Sequence, residues 1–252
     1  MWNPFDFTGK KFVIAGATSG MGRALAIKLS QQGAETSLVG RDFEKLKKIQ
    51  AEIKTGQSQV YVKDFGCPNG FQDTLDNIVS DGKKIDGLVY CAGITKILPL
   101  SFLSKKNMDE SMTVNLYSFV ELVSLLSKKK YHNNASIVGI SSIATQYPQK
   151  CQGIYVATKS AMNGMVTSMA MELAEKGIRI NTVMPSSTKT KMYEDSLEGK
   201  SPEEIKSIEN KQVLGVADPD DIANIIMFLL SDASNMITGR AIYADAGCIN
   251  FY

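Results

Sequence analysis

The sequence has little of what marks several large classes of protein. Its 252 residues include four cysteines, none of them in a Cys-x-x-Cys pair. This scatter is typical of reduced, cytosolic thiols rather than of a disulfide framework. The formal net charge is only +2, which gives no reason to expect a nucleic-acid partner. No apolar run approaches the roughly 18 residues that a membrane helix needs, so we expect no membrane partner either.

Two further absences narrow the chemistry. His132 is the only histidine, and no cluster of carboxylates or cysteines surrounds it in the sequence, so we predict neither a metal nor a catalytic role for it. The N-terminal stretch has no basic start followed by a long apolar segment, which predicts a cytoplasmic protein without a secretory signal. No Gly/Ser-rich or Pro-rich linker interrupts the chain, so we predict a single domain over residues 1–252.

Short apolar runs alternate with longer helical patterns along the chain. The apolar runs predict seven strands, at residues 10–16, 35–40, 59–65, 85–93, 135–142, 178–185 and 240–247. The segments between them predict helices, at residues 21–33, 42–53, 70–80, 106–130, 153–177 and 218–232. The strands are almost continuously apolar, which is typical of parallel strands covered on both faces. The pattern therefore predicts an α/β fold built on one doubly wound sheet.

The first predicted strand leads into GATSGMG, a glycine-rich turn before a helix. Such a turn lets the backbone approach a pyrophosphate, and the helix N-terminus offers free N–H groups. The spacing is GxxxGxG rather than the GxGxxG of the dinucleotide fingerprint, and a simple tight turn is the alternative. The position between strand and helix favours nucleotide binding by Gly16, Thr18, Ser19, Gly20, Met21 and Gly22.

The end of the second predicted strand bears on the choice of dinucleotide. An acidic side chain at this place would hold the ribose of NAD, but Gly40 offers none. Arg41 follows it and offers a guanidinium suited to a 2′-phosphate. NADP(H) is therefore favoured. NAD(H) stays open, because Asp42 could reach the ribose, and Arg41 could simply flank the helix that Asp42 caps.

Tyr155 and Lys159 lie four residues apart on one predicted helix and so share a face. A cation near a tyrosine stabilises the phenolate and lowers its pKa, which suits the tyrosine to general acid–base catalysis. The same spacing also arises by chance, usually as a surface pair. Motifs elsewhere in the chain favour a catalytic pair.

The ordered set of motifs resembles the short-chain dehydrogenase/reductases, and above all their 3-oxoacyl-acyl-carrier-protein reductase-like members. The matches are GATSGMG at 16–22, Asp64, CAG at 91–93, Asn115, Ser142, YVATK at 155–159 and PSSTKT at 185–190. The resemblance implies a three-layer Rossmann fold with a mostly parallel seven-stranded sheet, and an NADPH-dependent carbonyl reductase. The alternatives are a catalytically silent NAD(P)-binding protein and an NAD-dependent dehydrogenase of a sugar, steroid or secondary alcohol.

By the same resemblance, four residues form the catalytic set: Asn115, Ser142, Tyr155 and Lys159. Tyr155 would be the general acid or base, and Ser142 would hydrogen-bond the substrate oxygen. Lys159 would hold the nicotinamide ribose and lower the pKa of Tyr155. Asn115 would position a water beside Lys159. Besides the glycine loop, the implied cofactor contacts are Arg41, Asp64, Phe65, Cys91, Ala92, Gly93, Tyr155, Lys159, Pro185, Thr188 and Thr190.

The resemblance also implies a lid and partners. Residues 186–212 fall where the family carries a mobile substrate lid, and a solvated connecting helix is the alternative. The substrate would be a small or thioester-linked carbonyl compound, and the assembly a homotetramer or a dimer. An acidic acyl carrier protein would meet basic residues of the helices, for which the candidates are Lys128, Lys129, Lys130 and Lys176. A solvated helix end is the alternative for these lysines.

Four positions depart from the family pattern. Ala15 replaces a threonine and Cys91 an asparagine, while Ser186 and Ala246 each replace a glycine. These changes bear on the placement of the nicotinamide and on local stability. They leave the four implied catalytic residues in place.

Overall fold

A computed structural model describes residues 3–248 of the chain. Within that range one sheet contains the strands β1 (Lys11–Ala15), β2 (Glu35–Gly40), β3 (Ser58–Val62), β4 (Ile85–Tyr90), β5 (His132–Ile140), β6 (Arg179–Pro185) and β7 (Ala241–Ala244). Their order is β3-β2-β1-β4-β5-β6-β7, and every neighbouring pair is parallel. The predicted doubly wound sheet is therefore confirmed.

Helices cover both faces of this sheet. They are α1 (Gly20–Gln31), α2 (Phe43–Glu52), α3 (Phe71–Ile78), α4 (Lys105–Met112), α5 (Ser118–Leu126), α6 (Gly153–Ala174), α7 (Lys191–Leu197), α8 (Pro202–Asn210) and α9 (Pro219–Leu230). One apolar core lies between the sheet and α3, α5 and α6. A second lies between the sheet and α1, α2 and α9. The central strands face a core on each side, which explains their continuous apolar character.

Two predicted elements differ from the structure. The strand predicted at 59–65 ends at Val62, which is 57% exposed on the edge of the sheet, so Asp64 and Phe65 lie in the turn that follows. The helix predicted at 106–130 is divided by a π-helical turn, Thr113–Tyr117, and ends at Leu126. A π turn has no periodicity that an apolar pattern reveals, since it adds one residue to an otherwise regular helix.

The chain direction places the predicted motifs at one edge. The order of the strands reverses between β1 and β4, which is where ligands bind in sheets of this kind. The glycine loop follows β1, and CAG follows β4 at the same carboxyl edge. Residues 141–152 follow β5, and the segment that leads to α7 follows β6. Among residues 3–248 there is no helix with the length and apolar character to cross a membrane.

Candidate active site

The glycine loop fits closely against the neighbouring strand. Gly16 has φ +88°, and a Cβ atom at this position would lie only 2.5 Å from the backbone nitrogen of Ala92. Gly16 therefore allows β1 and β4 to come together directly beneath the loop. Gly20, with φ +52°, opens α1, whose N-cap residue Ser19 makes no side-chain capping bond. The first N–H groups of α1 are thus left for an anionic ligand, as a pyrophosphate requires.

The segment after β6 closes over this loop. Thr190 caps α7, and its hydroxyl accepts a hydrogen bond from the Tyr193 N–H at 3.4 Å. A Cβ atom at Gly20 would meet the Thr190 methyl group at 3.1 Å. Thr188 is buried and pairs with Ala217 in an isolated parallel bridge. Pro185, Thr188 and Thr190 therefore lie along one wall that runs past the glycine loop.

The two residues after β2 have different roles: Asp42 caps helix α2, and Arg41 is an exposed cation. The Asp42 carboxylate caps α2, accepting a hydrogen bond from the Lys45 N–H at 3.0 Å and lying 3.5 Å from the Lys45 ammonium. Arg41 is exposed, and the ion pairs found within residues 3–248 do not involve it. The backbone N–H of Lys45 lowers the pKa of Asp42 below its usual range, since it stabilises the carboxylate.

Asp64 and Phe65 form the other side of the crevice. The Asp64 carboxylate accepts a hydrogen bond from the Gly66 N–H at 2.8 Å, and the side chain is exposed. Phe65 is 7% exposed and stacks on Phe71 with ring centroids 5.9 Å apart. Its carbonyl accepts a 2.7 Å hydrogen bond from the Ser118 hydroxyl. The Phe65 backbone is therefore fixed, while the Asp64 side chain faces solvent.

The CAG segment forms the floor of the site. The N–H groups of Cys91 and Ala92 both donate to the Ala15 carbonyl, at 2.8 and 3.0 Å. A Cβ atom at Gly93 would lie 3.4 Å from Asn115 Oδ1 and 3.5 Å from Lys159 Nζ. Burial raises the pKa of the Cys91 thiol to about 12, although Lys159 acts in the opposite direction. Cys91 is therefore a neutral thiol at the base of the site.

Asn115 lies in the π-helical turn and is fully buried. Its Oδ1 accepts a hydrogen bond from the Ile94 N–H at 2.8 Å, and its Nδ2 donates to the Ile94 carbonyl at 2.9 Å. The same Nδ2 donates to the Thr158 hydroxyl at 3.0 Å. The π turn at this point is a common feature of functional sites. Asn115 thus joins the loop after β4 to helix α6.

The two serines after β5 have different surroundings. Ser141 is 2% exposed, and its hydroxyl donates to the Lys159 carbonyl at 3.3 Å. Ser142 is only partly buried, and its hydroxyl accepts a hydrogen bond from the Ala144 N–H at 3.1 Å. Ser141 therefore holds the backbone of α6. Ser142 retains its own hydroxyl proton as a donor toward the cleft.

Tyr155 lies at the start of α6 and is partly buried. Burial raises the pKa of its phenol, while hydrogen bonding with the hydroxyls of Ser142 and Thr95 lowers it by less. This direction is opposite to our expectation that Lys159 lowers the pKa of Tyr155. The reason is that the Lys159 ammonium lies 5.8 Å from the centre of the Tyr155 ring and is bonded elsewhere. Desolvation of the phenolate therefore dominates.

Lys159 is 4% exposed, and its ammonium donates a 2.6 Å hydrogen bond to the Ile140 carbonyl. Burial lowers its pKa from the usual 10.5 to about 8, although Cys91 acts in the opposite direction. Lysines that are buried without a carboxylate partner titrate far more readily than exposed ones. Such shifts are concentrated at functional sites.

Two polar residues of the site were not singled out from the sequence. Thr95 lowers the pKa of Tyr155 through its hydroxyl, and the same hydroxyl donates a 3.2 Å hydrogen bond to the Met192 sulfur. Thr158 is fully buried and donates a 2.8 Å hydrogen bond to the Tyr155 carbonyl. The only available signal was position, because Thr158 lies inside YVATK and Thr95 lies two residues after CAG.

The lysines considered for carrier binding lie at the opposite edge of the sheet. Lys128, Lys129 and Lys130 lie between α5 and the first residue of β5, whereas Ser142 follows its last residue. The nine residues of β5 separate these ends by about 30 Å. The Lys176 ammonium donates to the Ser127 hydroxyl at 3.2 Å and so belongs to the same edge. These lysines therefore lie at the edge of the sheet opposite the one that carries Ser142.

The described residues contain neither a candidate metal site nor a disulfide bond. In the part of the chain that the structure describes, no three His, Cys, Asp or Glu side chains are grouped so that they could hold a metal ion. The four cysteines are free thiols.

Comparison with known proteins decides the family. A family model described as enoyl-(acyl carrier protein) reductase matches residues 16–248. The chain belongs to the short-chain dehydrogenase/reductase family. It is 32% identical to a 3-oxoacyl-[acyl-carrier-protein] reductase of Rickettsia felis, over 97% of this chain and 98% of that protein. It is 27% identical to an L-xylulose reductase of Caenorhabditis elegans, over 98% of both chains.

A solved structure extends the comparison. A putative NAD(P)-dependent gluconate 5-dehydrogenase of Beutenbergia cavernae, with bound NADP at low occupancy, superposes with a TM-score of 0.89. It is 26% identical, and the alignment covers 98% of this chain and all of that one. As a short-chain dehydrogenase/reductase, the protein is an NAD(P)-dependent oxidoreductase that acts on CH–OH or carbonyl groups. The glycine loop and the free N–H groups of α1 fit such a dinucleotide.

Proposed function

We propose that the protein is an NADPH-dependent carbonyl reductase in which Tyr155 is the general acid. The observation that carries this proposal is the set of hydroxyls of Ser142, Thr95 and Tyr155, which meet at the carboxyl edge beside the buried ammonium of Lys159. The Ser142 and Tyr155 hydroxyls are protonated at neutral pH, and both can donate toward one oxygen atom, whereas the Thr95 hydroxyl donates to the Met192 sulfur. A carbonyl oxygen that accumulates negative charge is the acceptor that such donors stabilise.

Each residue has a separate task in this proposal. The Ser142 hydroxyl binds the carbonyl oxygen, because its proton is not used in its bond to Ala144. The Tyr155 phenol gives its proton to the same oxygen, and its raised pKa keeps that proton in place until charge develops. Lys159 holds the ribose and restores the proton, to which its pKa of about 8 is suited. The bound dinucleotide supplies the hydride.

The preference for NADPH rests on Arg41 and Asp42. Asp42 is committed to the cap of α2, which leaves no carboxylate at this position to hold ribose hydroxyls. Arg41 is exposed beside it at the end of β2, and its guanidinium can bind a phosphate through two hydrogen bonds. A 2′-phosphate therefore gains a partner here that NADH cannot use.

Substitution of Arg41 tests this preference. We expect Arg41→Asp to weaken NADPH binding about 100-fold, because a favourable ion pair becomes a repulsion, and to leave NADH binding nearly unchanged. Cofactor affinity is measured by fluorescence titration, with Arg23→Ala as the control, since Arg23 pairs with Glu52. Equal affinity of the wild type for NADPH and NADH, or unchanged NADPH affinity in Arg41→Asp, would refute the preference.

The surroundings of the cleft favour an apolar substrate. Ile97, Leu100 and Phe102 lie between β4 and α4 and are 53%, 84% and 68% exposed. Val213 and Leu214, which follow α8, are 59% and 87% exposed. A sugar would meet few polar side chains at these places, whereas an acyl chain would cover apolar surface. We therefore favour a 3-oxoacyl thioester or another ketone with an apolar chain over a sugar.

A substrate panel tests both the reaction and the class. NADPH oxidation is followed with 3-oxoacyl thioesters, steroid ketones and ketosugars, using wild type and Tyr155→Phe. We expect the highest kcat/KM with 3-oxoacyl thioesters, and a loss of at least about 100-fold in Tyr155→Phe with NADPH affinity retained. A protein that binds NADPH and reduces nothing in the panel would support the catalytically silent alternative.

We also propose that the protein forms an oligomer and that a carrier protein can deliver its substrate. Met171 and Met236 are 78% and 97% exposed, and a second copy would cover such apolar groups. Because Lys129 and Lys176 are remote from their own site, a carrier bound there would serve the site of a neighbouring copy. Light scattering should give a dimer or tetramer mass. Lys176→Glu should raise KM for a carrier-linked substrate but not for a free thioester.

A further inference from the structure

The Thr158 hydroxyl connects the Asn115 side chain to the backbone of Tyr155. Thr158 is fully buried on α6, between Tyr155 and Lys159 in the helix. Its Oγ1 accepts a 3.0 Å hydrogen bond from Asn115 Nδ2 and donates a 2.8 Å hydrogen bond to the Tyr155 carbonyl. The hydroxyl thus uses its one proton and an acceptor site, both inside the protein.

These bonds complete a continuous path across the site. The path begins at Ile94, next to Gly93 in the floor, and runs through both main-chain groups of Ile94 to the amide of Asn115. From there it passes through Thr158 to the first turn of α6. The path therefore joins three segments that are far apart in the sequence: the loop after β4, the π-helical turn and the helix that carries Tyr155.

The orientation of the Asn115 amide is determined by this path. Turning the amide over would place Nδ2 against the Ile94 N–H and Oδ1 against the Ile94 carbonyl, so that like groups would face each other. It would also place Oδ1 against Thr158, whose proton is already given to Tyr155. The retained orientation directs Oδ1 toward the space above Gly93 that Lys159 Nζ also borders. Buried networks of this kind specify one arrangement when every member is satisfied.

We propose that Thr158 is a positioning residue for the reaction. Through Asn115 and the Tyr155 backbone, it fixes the distance between the floor of the cofactor site and the Tyr155 and Lys159 side chains. This inference rests on the proposed carbonyl reduction. Thr158 itself touches neither substrate nor cofactor, so its loss acts through the placement of Tyr155.

The first test removes the hydroxyl while keeping the shape of the side chain. We expect Thr158→Val to lower kcat about 10- to 100-fold, since small misplacements of reacting groups carry penalties of this size, while KM changes less than about threefold. Thr158→Ser keeps the hydroxyl and should restore kcat to within about twofold of wild type. Thr167→Val is the matched control, because the Thr167 hydroxyl is exposed on the same helix and, among residues 3–248, bonds only to the Asn163 carbonyl.

A second readout does not depend on turnover. In the protein without ligands, the Ile94 N–H is held by Asn115, so its hydrogen exchange reports the orientation of that amide. We expect Thr158→Val to accelerate exchange at Ile94 and to leave exchange unchanged at Leu98, whose N–H is bound to the Cys151 carbonyl. Thr158→Ala, with a good helix-forming residue, replaces Thr158→Val if the valine variant does not fold.

The outcomes separate this inference from the proposed function. A lower melting temperature with kcat and Ile94 exchange as in wild type would show a purely structural role and overturn the inference. Failure of Thr158→Ser to restore kcat would also overturn it. Neither result touches the role of Tyr155, which Tyr155→Phe tests alone. If wild type reduces no ketone, the proposed function fails, whereas accelerated Ile94 exchange in Thr158→Val still supports the connection through Asn115.

Discussion

The Ser186 hydroxyl donates a 2.7 Å hydrogen bond to the side-chain carbonyl oxygen of Gln212. These two residues are the first and last of segment 186–212, so a single bond joins its ends. Gln212 is 4% exposed, and loss of its partner would leave a buried amide oxygen unsatisfied. The glycine that the family pattern has in place of Ser186 could not make this bond.

This bond predicts a substrate-binding defect in Ser186→Ala. We expect KM for the carbonyl substrate to rise about three- to tenfold, consistent with the loss of about 1 kcal/mol from one buried hydrogen bond, with a smaller change in kcat. Ser196→Ala is the control, because the Ser196 hydroxyl bonds to the Tyr193 carbonyl within α7 and to no other group in the described part of the chain. Steady-state kinetics that show equal KM values for both variants would contradict a role of the Ser186–Gln212 bond in closing the segment.

Lys159→Met should stabilise the fold while abolishing turnover. The pKa of Lys159 falls from 10.5 to about 8, which at about 1.4 kcal/mol per unit means that the buried charge costs about 3 kcal/mol. The lost bond to Ile140 offsets about 1 kcal/mol of this. We therefore expect the free energy of unfolding at pH 7 to rise by about 2 kcal/mol.

The pH dependence gives a second check on Lys159. Its folded pKa lies below its unfolded pKa, so between pH 8 and 10.5 the unfolded chain binds more protons and wild-type stability rises with pH. The advantage of Lys159→Met should therefore shrink across that window. Urea titrations at pH 7 and pH 10 measure it, and an advantage that is the same at both values would rule out this explanation.

His132 predicts a loss of stability in mild acid. It is 7% exposed, its Nδ1 has no hydrogen-bond partner, and burial lowers its pKa, with smaller contributions from Lys84, Lys176 and Lys129. The unfolded chain therefore takes up the proton first, and stability falls as pH drops below about 6.5. His132→Phe should lose less stability than wild type between pH 7.5 and 5.5 in urea titrations. A parallel decline of both proteins would contradict this assignment.

Ala246→Gly should stabilise the protein modestly. Ala246 has φ +51°, a left-handed conformation that costs a residue with a Cβ atom about 1–2 kcal/mol. The greater freedom of glycine in the unfolded chain offsets up to about 1 kcal/mol. We expect a net gain of about 0.5 kcal/mol in thermal or chemical unfolding. Ala174→Gly, at the end of α6, should instead destabilise, because its conformation is right-handed.

Much of the fold could be predicted because parallel strands buried on both faces have a distinctive pattern. KFVIA, for example, is buried at every position of β1. The edge strand β3 was less predictable: its residues face both core and solvent, and Asp64 lies beyond its end. The break at Asn115 could not be seen either, since residues on both sides of a π turn keep a helical pattern.

The sequence predicts residues that the structure brings to one edge of the sheet, but it does not predict their electrostatics. The sequence places Tyr155 and Lys159 on one helical face, but not at the distance that lets one lower the pKa of the other. The distance between Tyr155 and the Lys159 ammonium depends on the Ile140 carbonyl, which accepts a hydrogen bond from that ammonium. Thr158 and Thr95 matter through contacts with residues far away in the chain, and no spacing rule reveals such contacts.

The contact between Thr190 and Gly20 has a kinetic consequence. The Thr190 methyl group lies against the glycine loop, and the segment that begins there also reaches Thr95 through Met192. A dinucleotide under this segment can depart only after the segment has moved away, whereas a smaller molecule at the outer end of the cleft needs no such motion. We therefore expect ligands to leave in a fixed sequence, the alcohol first and the dinucleotide last, with the final departure limiting the rate of each cycle.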